Sequence, residues 1–149
     1  MENKKTKIFG LVLIAAVLLF AAYLYMSDQN NSYSIAVKAN WGIGLPYGGK
    51  IIYEKELPEV SFNGDGERYR VYRYDDEPAF DEDITWSDKL AKGNRLLEIA
   101  ENMQADYMPD LESGVNRYFH MTGDDDARDK LWIIYDTENM MLYVVEDFY

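Results

Sequence analysis

Hydrophobic and polar positions along the chain change period several times, and each change marks an element. Residues 8–26, from Ile8 to Met26, are nineteen consecutive positions without a charge. At about 1.5 Å per residue such a helix is roughly 28 Å long, close to the hydrocarbon thickness of a bilayer. Residues 27–33 are polar and read as a short stalk. From 34 onward the period shortens. Residues 34–41 and 50–57 read as strands, and 67–74 alternates Tyr69 and Val71 with Arg68 and Arg70, a strand with one wet side. Thr85 and Asp88 have capping-box spacing. They precede Leu90, Leu96, Leu97, Ala100, Met103 and Tyr107 at helical intervals, with Pro109 just beyond, which predicts a helix over about 86–107. Residues 110–129 show no clear period and read as a short helix or ordered loop. Residues 131–135 and 140–145 are apolar on both faces, which predicts a hairpin at the centre of a sheet, with Asn139 supplying the left-handed turn position.

Strands and helix are segregated along the chain. The expected class is therefore α+β, a mainly antiparallel sheet of about five strands with one main helix, preceded by a transmembrane helix. The expected organisation is a basic flank at 1–7, an anchor at 8–26, a stalk at 27–33 and a single extracytoplasmic domain at 34–149.

Lys4, Lys5 and Lys7 stand before the apolar run, and Tyr23 and Tyr25 at its far end. Positive charge stays in the cytoplasm and tyrosines favour the interface. These features predict a single-pass signal anchor with the C-terminal domain outside the cell membrane. A cleaved leader fits less well, because Leu19 and Phe20 occupy the positions two before Ala21 and Ala22, where a signal peptidase needs small residues. Setting aside the three lysines and Glu2 of the flank leaves 12 basic and 26 acidic residues, a net charge of −14. So acidic a domain makes nucleic acid a poor partner. The absence of cysteine excludes disulfides, thiolate nucleophiles and zinc–thiolate sites.

The stretch Asn63-Gly64-Asp65-Gly66-Glu67 raises the question of a cation loop. Asn63, Asp65 and Glu67 would fill positions 1, 3 and 5 of a calcium loop. Position 6, which needs glycine, is Arg68, and position 12, which needs glutamate, is Tyr74. Asn-Gly and Asp-Gly between β-prone runs read instead as a turn. The six acids within 75–83 and the Asp124-Asp125-Asp126 run are solvated clusters in the first instance, and calcium ligands in the alternative. His120, the sole histidine, sits among apolar residues and lacks a G-x-S-x-G serine to activate. Paired carboxylates for glycoside hydrolysis carry little signal among so many acids. Arg68 and Arg70 are expected to pair with Glu54 and Glu56 across the sheet. No catalytic residue and no cofactor is assigned. The tryptophans and tyrosines are expected in the core before any sugar platform.

The Lys-rich start, the apolar segment, the Phe62-Asn-Gly-Asp-Gly66 motif before a tyrosine-rich strand, and the closing hairpin of Lys130–Asp136 and Leu142–Asp147 together resemble small membrane-anchored or exported proteins of Gram-positive bacteria. The resemblance implies the location and the α+β class, and no site residues. The expected function is a non-catalytic envelope binding module, with an unidentified envelope protein or a second copy as partner and the bilayer as support. A carboxylate-dependent envelope hydrolase and a calcium-responsive domain are the alternatives.

Overall fold

In the computed structural model the backbone is described for residues 4–58, 66–90, 93–124 and 126–149; side chains are not described for 4–9, 22–31, 58 and 93–94. Helix α1 (Lys4–Trp41) leads into β1 (Lys50–Pro58), β2 (Gly66–Arg73), α2 (Gly93–Asn102), β3 (Asn116–Thr122), β4 (Lys130–Asp136) and β5 (Met141–Phe148). The five strands form one sheet in the order β1-β2-β5-β4-β3, every neighbouring pair antiparallel. The α+β class and the five-stranded antiparallel sheet are therefore as the pattern implied. The final hairpin lies inside the sheet, β5 at its centre, with Leu131 to Asp136 and Leu142 to Asp147 all buried.

Residues 34–41 are a correction: they are the last turns of α1, not a strand. Tyr33, Val37 and Trp41 recur every four residues and are all buried, so a helical face, not a pleat, meets the sheet. The expected stalk at 27–33 also lies within α1. At 38 residues α1 is about 57 Å long. It ends where Gly42 takes a left-handed conformation (φ 74°) and its N–H donates to the Lys38 carbonyl at 2.9 Å, a C-terminal cap that only glycine adopts without strain. Among the described residues no helix is long and apolar enough to cross a membrane; the side chains described in the apolar part of α1 are those of 10–21.

The sheet is covered on both faces. On one, Tyr33, Val37 and Trp41, with Ile43 and Leu45 from the following loop, pack on Tyr72, Leu131, Ile133, Leu142 and Val144. On the other, Leu96, Ile99, Ala100 and Met103 of α2 pack on Tyr69, Val71, Trp132, Ile134, Tyr143 and Val145. Neighbouring residues of β4 and β5 thus serve opposite cores, which is why those strands are apolar throughout.

Helix α2 is shorter than the predicted 86–107. Residues 85–90 instead run beside β3, where Ser87 and Tyr118 exchange backbone hydrogen bonds of 2.8 and 2.9 Å. A capping-box spacing is a local signal, and the free edge of β3 outcompetes it. The far end of α2 closes early too. Gln104 is left-handed (φ 50°), Ala105 N–H donates to the Ala100 carbonyl and Gln104 N–H to that of Glu101. This is a Schellman cap made without glycine. The Lys55 ammonium of β1 donates to the Met103 carbonyl at the same end. Leu97, placed in the apolar stripe by spacing, is exposed, and Ile99 takes the core position. Residues 110–129 are neither helix nor simple loop, since they hold strand β3. In the β4–β5 turn the left-handed residue is Met140 (φ 51°), not Asn139. Asn139 and Glu138 instead donate backbone N–H groups to Asp136, and the Asn139 amide donates to its second oxygen. The turn is held by an aspartate staple.

Burial raises the phenol pKa of Tyr33, Tyr69, Tyr72, Tyr74 and Tyr143 above the ordinary value near 10, that of Tyr143 to about 12. Because these folded values lie above the unfolded one, their stabilising contribution is complete below pH 10 and is lost as pH rises beyond it. Each such tyrosine adds up to about 1.4 kcal/mol per pH unit to the loss. The domain should therefore unfold cooperatively in alkali, with phenolate absorbance rising in step with loss of circular dichroism. Because exposed rings such as Tyr47 also ionise, the test is the step in phenolate absorbance at the unfolding transition, and its absence would show the buried rings to be solvated.

Candidate functional site

Glu146 and Asp147 are neighbours near the end of β5, so their side chains leave the sheet on opposite faces. Each binds the helix on its own side. Glu146 is fully buried. One of its oxygens accepts the Tyr33 hydroxyl at 2.5 Å, the other the Trp41 indole N–H at 2.7 Å. Two side chains two turns apart on α1 thus end on one carboxylate. Arg68, its register partner on β2, lies 3.9 Å away. The Arg70 guanidinium stacks over the Tyr33 ring at 3.6 Å and pairs with Glu54 and Glu56. Arg68 also pairs with Glu56 at 3.6 Å. The expected cross-strand neutralisation is present, and it has an unforeseen extension through Tyr33 to α1. Burial first and the Glu146 charge second hold the Tyr33 phenol protonated.

Across the sheet, Arg95 of α2 makes two hydrogen bonds to Asp147, of 2.8 and 3.1 Å, and one of 2.8 Å to Glu67, the register partner of Asp147. The hydrogen bond to Asp147 raises the Arg95 pKa further, so this cation is permanent. Glu67 is therefore bound to Arg95, a role different from the cation ligand considered for it.

Above the Glu146 network, at the C-terminal end of α1, lies a cleft of about 540 Å³. Asn40, Trp41 and Gly42 form one wall, Met121, Gly123, Asp124 and Asp129 the other, and Phe148 lies beside the Trp41 ring at 5.6 Å. Asp124 is exposed here. Asp129 is engaged, accepting the Tyr149 N–H at 2.8 Å. The helix end contributes partial negative charge to the same space.

Of the cation candidates, Asn63, Asp65 and Asp125 lie outside the described residues, as do the first three residues of the turn expected over Asn63–Glu67, whose Gly66 and Glu67 open β2. Glu67 and Asp124 are far apart in their roles, one on the α2 face and one in the cleft. Asp126 is paired with Arg128 at 2.7 Å. Among the described residues no group of three or more histidine, cysteine or acidic side chains is placed to hold a metal. The Arg128 hydrogen bond lowers the Asp126 pKa from its ordinary value near 3.8 to about 2. Any stability this pair supplies is present above pH 4 and is lost as pH falls toward 2. Arg128→Ala should raise the Asp126 midpoint only part of the way to its ordinary value in a carboxyl NMR titration, because the backbone N–H of residue 128, 2.9 Å from Asp126, still donates. A midpoint that stays near 2 would mean other donors hold it.

His120 packs against Trp132, 5.4 Å between ring centroids, in a register pair of β3 and β4. Trp86 stacks edge-on with Phe80 at 4.8 Å, Trp132 is fully buried toward α2, and Trp41 caps α1. Trp41 and Trp86 belong to the core on the α1 face and Trp132 to that on the α2 face, so the three form no common platform. Spacing alone missed Tyr33, Trp41, Glu146 and Asp147. The signal available was two adjacent acids inside the most apolar strand, where an isolated charge is costly unless paired.

Compared with protein-family models, with curated proteins and with solved structures, the chain finds no match in any of the three.

Proposed function

We propose that the chain is a single-pass, membrane-anchored protein whose α+β domain stands outside the cell membrane and acts as a non-catalytic binding module of the envelope. One observation carries the location. Residues 11–20 of α1 are all apolar and all exposed, Leu11, Leu18 and Leu19 at 68, 64 and 72%. A helix apolar on every side that nothing in its own domain covers is suited to lipid. The uncharged run of 8–26 extends it to bilayer length, and Lys4, Lys5 and Lys7 orient it.

The binding role follows from the mount and the surface it presents. Helix α1 runs from the apolar segment into the core without a break, so the domain is held rigidly. The acid-lined cleft at its far end lies fifteen residues past Met26, about 22 Å beyond the apolar run. A neighbouring envelope protein or a second copy of the chain is the partner. The hydrolase alternative draws on Asp124 and Asp129 sharing that cleft, although Asp129 is already engaged by the Tyr149 amide.

The test is protease accessibility of a C-terminal epitope on intact cells, together with a photo-crosslinker at Asn40 in the cleft and a control at Glu98 on α2. A full-length, membrane-bound, protease-sensitive product with an Asn40-specific adduct is expected. A product protected after the wall is removed would overturn the location. Equal adducts from both positions would overturn the cleft. Cleavage of an envelope glycan by the purified protein, lost on Asp124→Asn, would favour the hydrolase. A calcium-dependent rise in melting temperature would favour the calcium-responsive reading.

A further inference from the structure

After Trp41 the chain reverses and runs back along α1 toward the apolar segment. Gly44 lies against Lys38, at 4.0 Å from its side chain to the position a Cβ would take, and its N–H donates to Asp81 at 2.9 Å. One residue later the Leu45 carbonyl accepts the Ser34 hydroxyl at 3.3 Å, a full helical turn nearer Met26. The Pro46 carbonyl is held by the Tyr74 hydroxyl at 3.1 Å, and Gly49 packs on the Tyr74 ring so closely that a Cβ there would sit 2.7 Å from it. Both ends of the reversal are thus fixed. Between them Tyr47 is 85% exposed, the most exposed large hydrophobic residue described.

From this geometry we infer that Tyr47 is a second membrane contact, its ring seated in the headgroup layer beside the point where α1 enters the bilayer. The inference rests on the anchor reading of 8–26. Ser34 is eight residues past Met26, about 12 Å along the axis. Two extended residues from Leu45 carry the chain at most about 7 Å further down. At that limit the Tyr47 backbone stands about 5 Å above the hydrocarbon edge, so that its ring can reach a headgroup layer roughly 5–8 Å thick. A tyrosine ring with its apolar body and polar tip favours this layer. Ile35, 61% exposed, lies on the same groove of about 240 Å³ with Pro46 and Phe80. Of the six acids within 75–83, the segment that lines this groove, Asp75 pairs with Lys50 at 2.7 Å and Asp81 with Lys38 at 3.8 Å, which leaves the segment acidic. The occupant is therefore the lipid interface itself, recognised by its polarity gradient and not by charge.

The chain contains no cysteine, so single cysteines can be labelled cleanly. The full-length protein would be reconstituted in phosphatidylcholine vesicles with an NBD label at Tyr47→Cys, at Leu18→Cys within the apolar run, or at Glu98→Cys on α2. Spin-labelled lipids with the nitroxide at shallow or deep positions serve as quenchers. The expected result is a blue-shifted Tyr47→Cys label that loses fluorescence to the shallow quencher more than to the deep one. The Leu18→Cys label should lose it to the deep quencher, and the Glu98→Cys label to neither. Quenching at position 18 but not at 47 would overturn the inference and leave the anchor standing. No quenching at 18 would overturn the anchor, and the inference with it.

Discussion

Replacing Glu146 by alanine should destabilise the domain by about 3–5 kcal/mol, the range for breaking a buried charged network by removing one partner. In a domain of somewhat over 100 residues this corresponds to a fall in melting temperature of roughly 10–20 °C. The cost is in what remains. The Tyr33 hydroxyl and the Trp41 indole N–H lose their acceptor inside a closed core, and the Arg68 guanidinium loses the negative group 3.9 Å away. Each unsatisfied buried donor costs about 1–3 kcal/mol. Glu146→Gln keeps an acceptor oxygen and the volume while deleting the charge, so it should recover more than half of the loss. Thermal melts of the full chain in mild detergent, followed by near-ultraviolet circular dichroism, check both. A fall of under 1 kcal/mol for the alanine variant would show that water reaches the site and that α1 is held by apolar contact alone. Tyr33→Phe and Trp41→Phe, combined with Glu146→Ala in double-mutant cycles, should show couplings well above 0.5 kcal/mol, because all three share one carboxylate.

How much of this was legible follows from the range over which each signal acts. The hairpin of β4 and β5 was legible because the eleven positions of 131–135 and 140–145 carry the same instruction, apolar on both sides. The pairing of Glu54 and Glu56 with Arg68 and Arg70 was legible because the strand period fixes which side chains share a face. The end of α1 was not. Residues 34–41 are too short for period 2 and period 4 to be separated, since Val37 and Trp41 satisfy both. Only Tyr33, one residue outside that window and assigned to the stalk, completes the helical series. The missing strand β3 had a similar cause. Asn116 to Thr122 alternates weakly, and its strand character comes from pairing with the strong β4 edge. Tertiary pairing overrode weak local preference there, as the β3 edge overrode the capping box at Thr85. The Glu146 site needed three segments more than a hundred residues apart in part, which spacing within one segment does not encode.

A chain shortened to begin at residue 42 should fail to fold, whereas one beginning at 27 should fold and unfold cooperatively. The difference is the last third of α1. Tyr33, Val37 and Trp41 are 5, 0 and 5% exposed, and they cover Leu131, Ile133, Leu142 and Val144 on one whole face of the sheet. Burying each side chain of this size contributes about 1.5–3 kcal/mol. The three together with the Glu146 hydrogen bonds are comparable with the 5–15 kcal/mol total of an ordinary domain. Without them the central strands present an uncovered apolar face, and Glu146 is a buried carboxylate with no α1 donor. The shorter chain should bind the dye ANS, lack a near-ultraviolet circular dichroism signal and show no sigmoidal urea transition. The longer one should show all the opposite properties at the same concentration. If the chain from 42 folded with a comparable midpoint, α1 would be an accessory tether and the rigid mount would be wrong. If both fold poorly, the apolar segment itself contributes to the core. The expected outcome makes the segment emerging from the apolar run a structural layer of the domain, so that a force or tilt applied to α1 reaches β5 directly through Tyr33, Trp41 and Glu146.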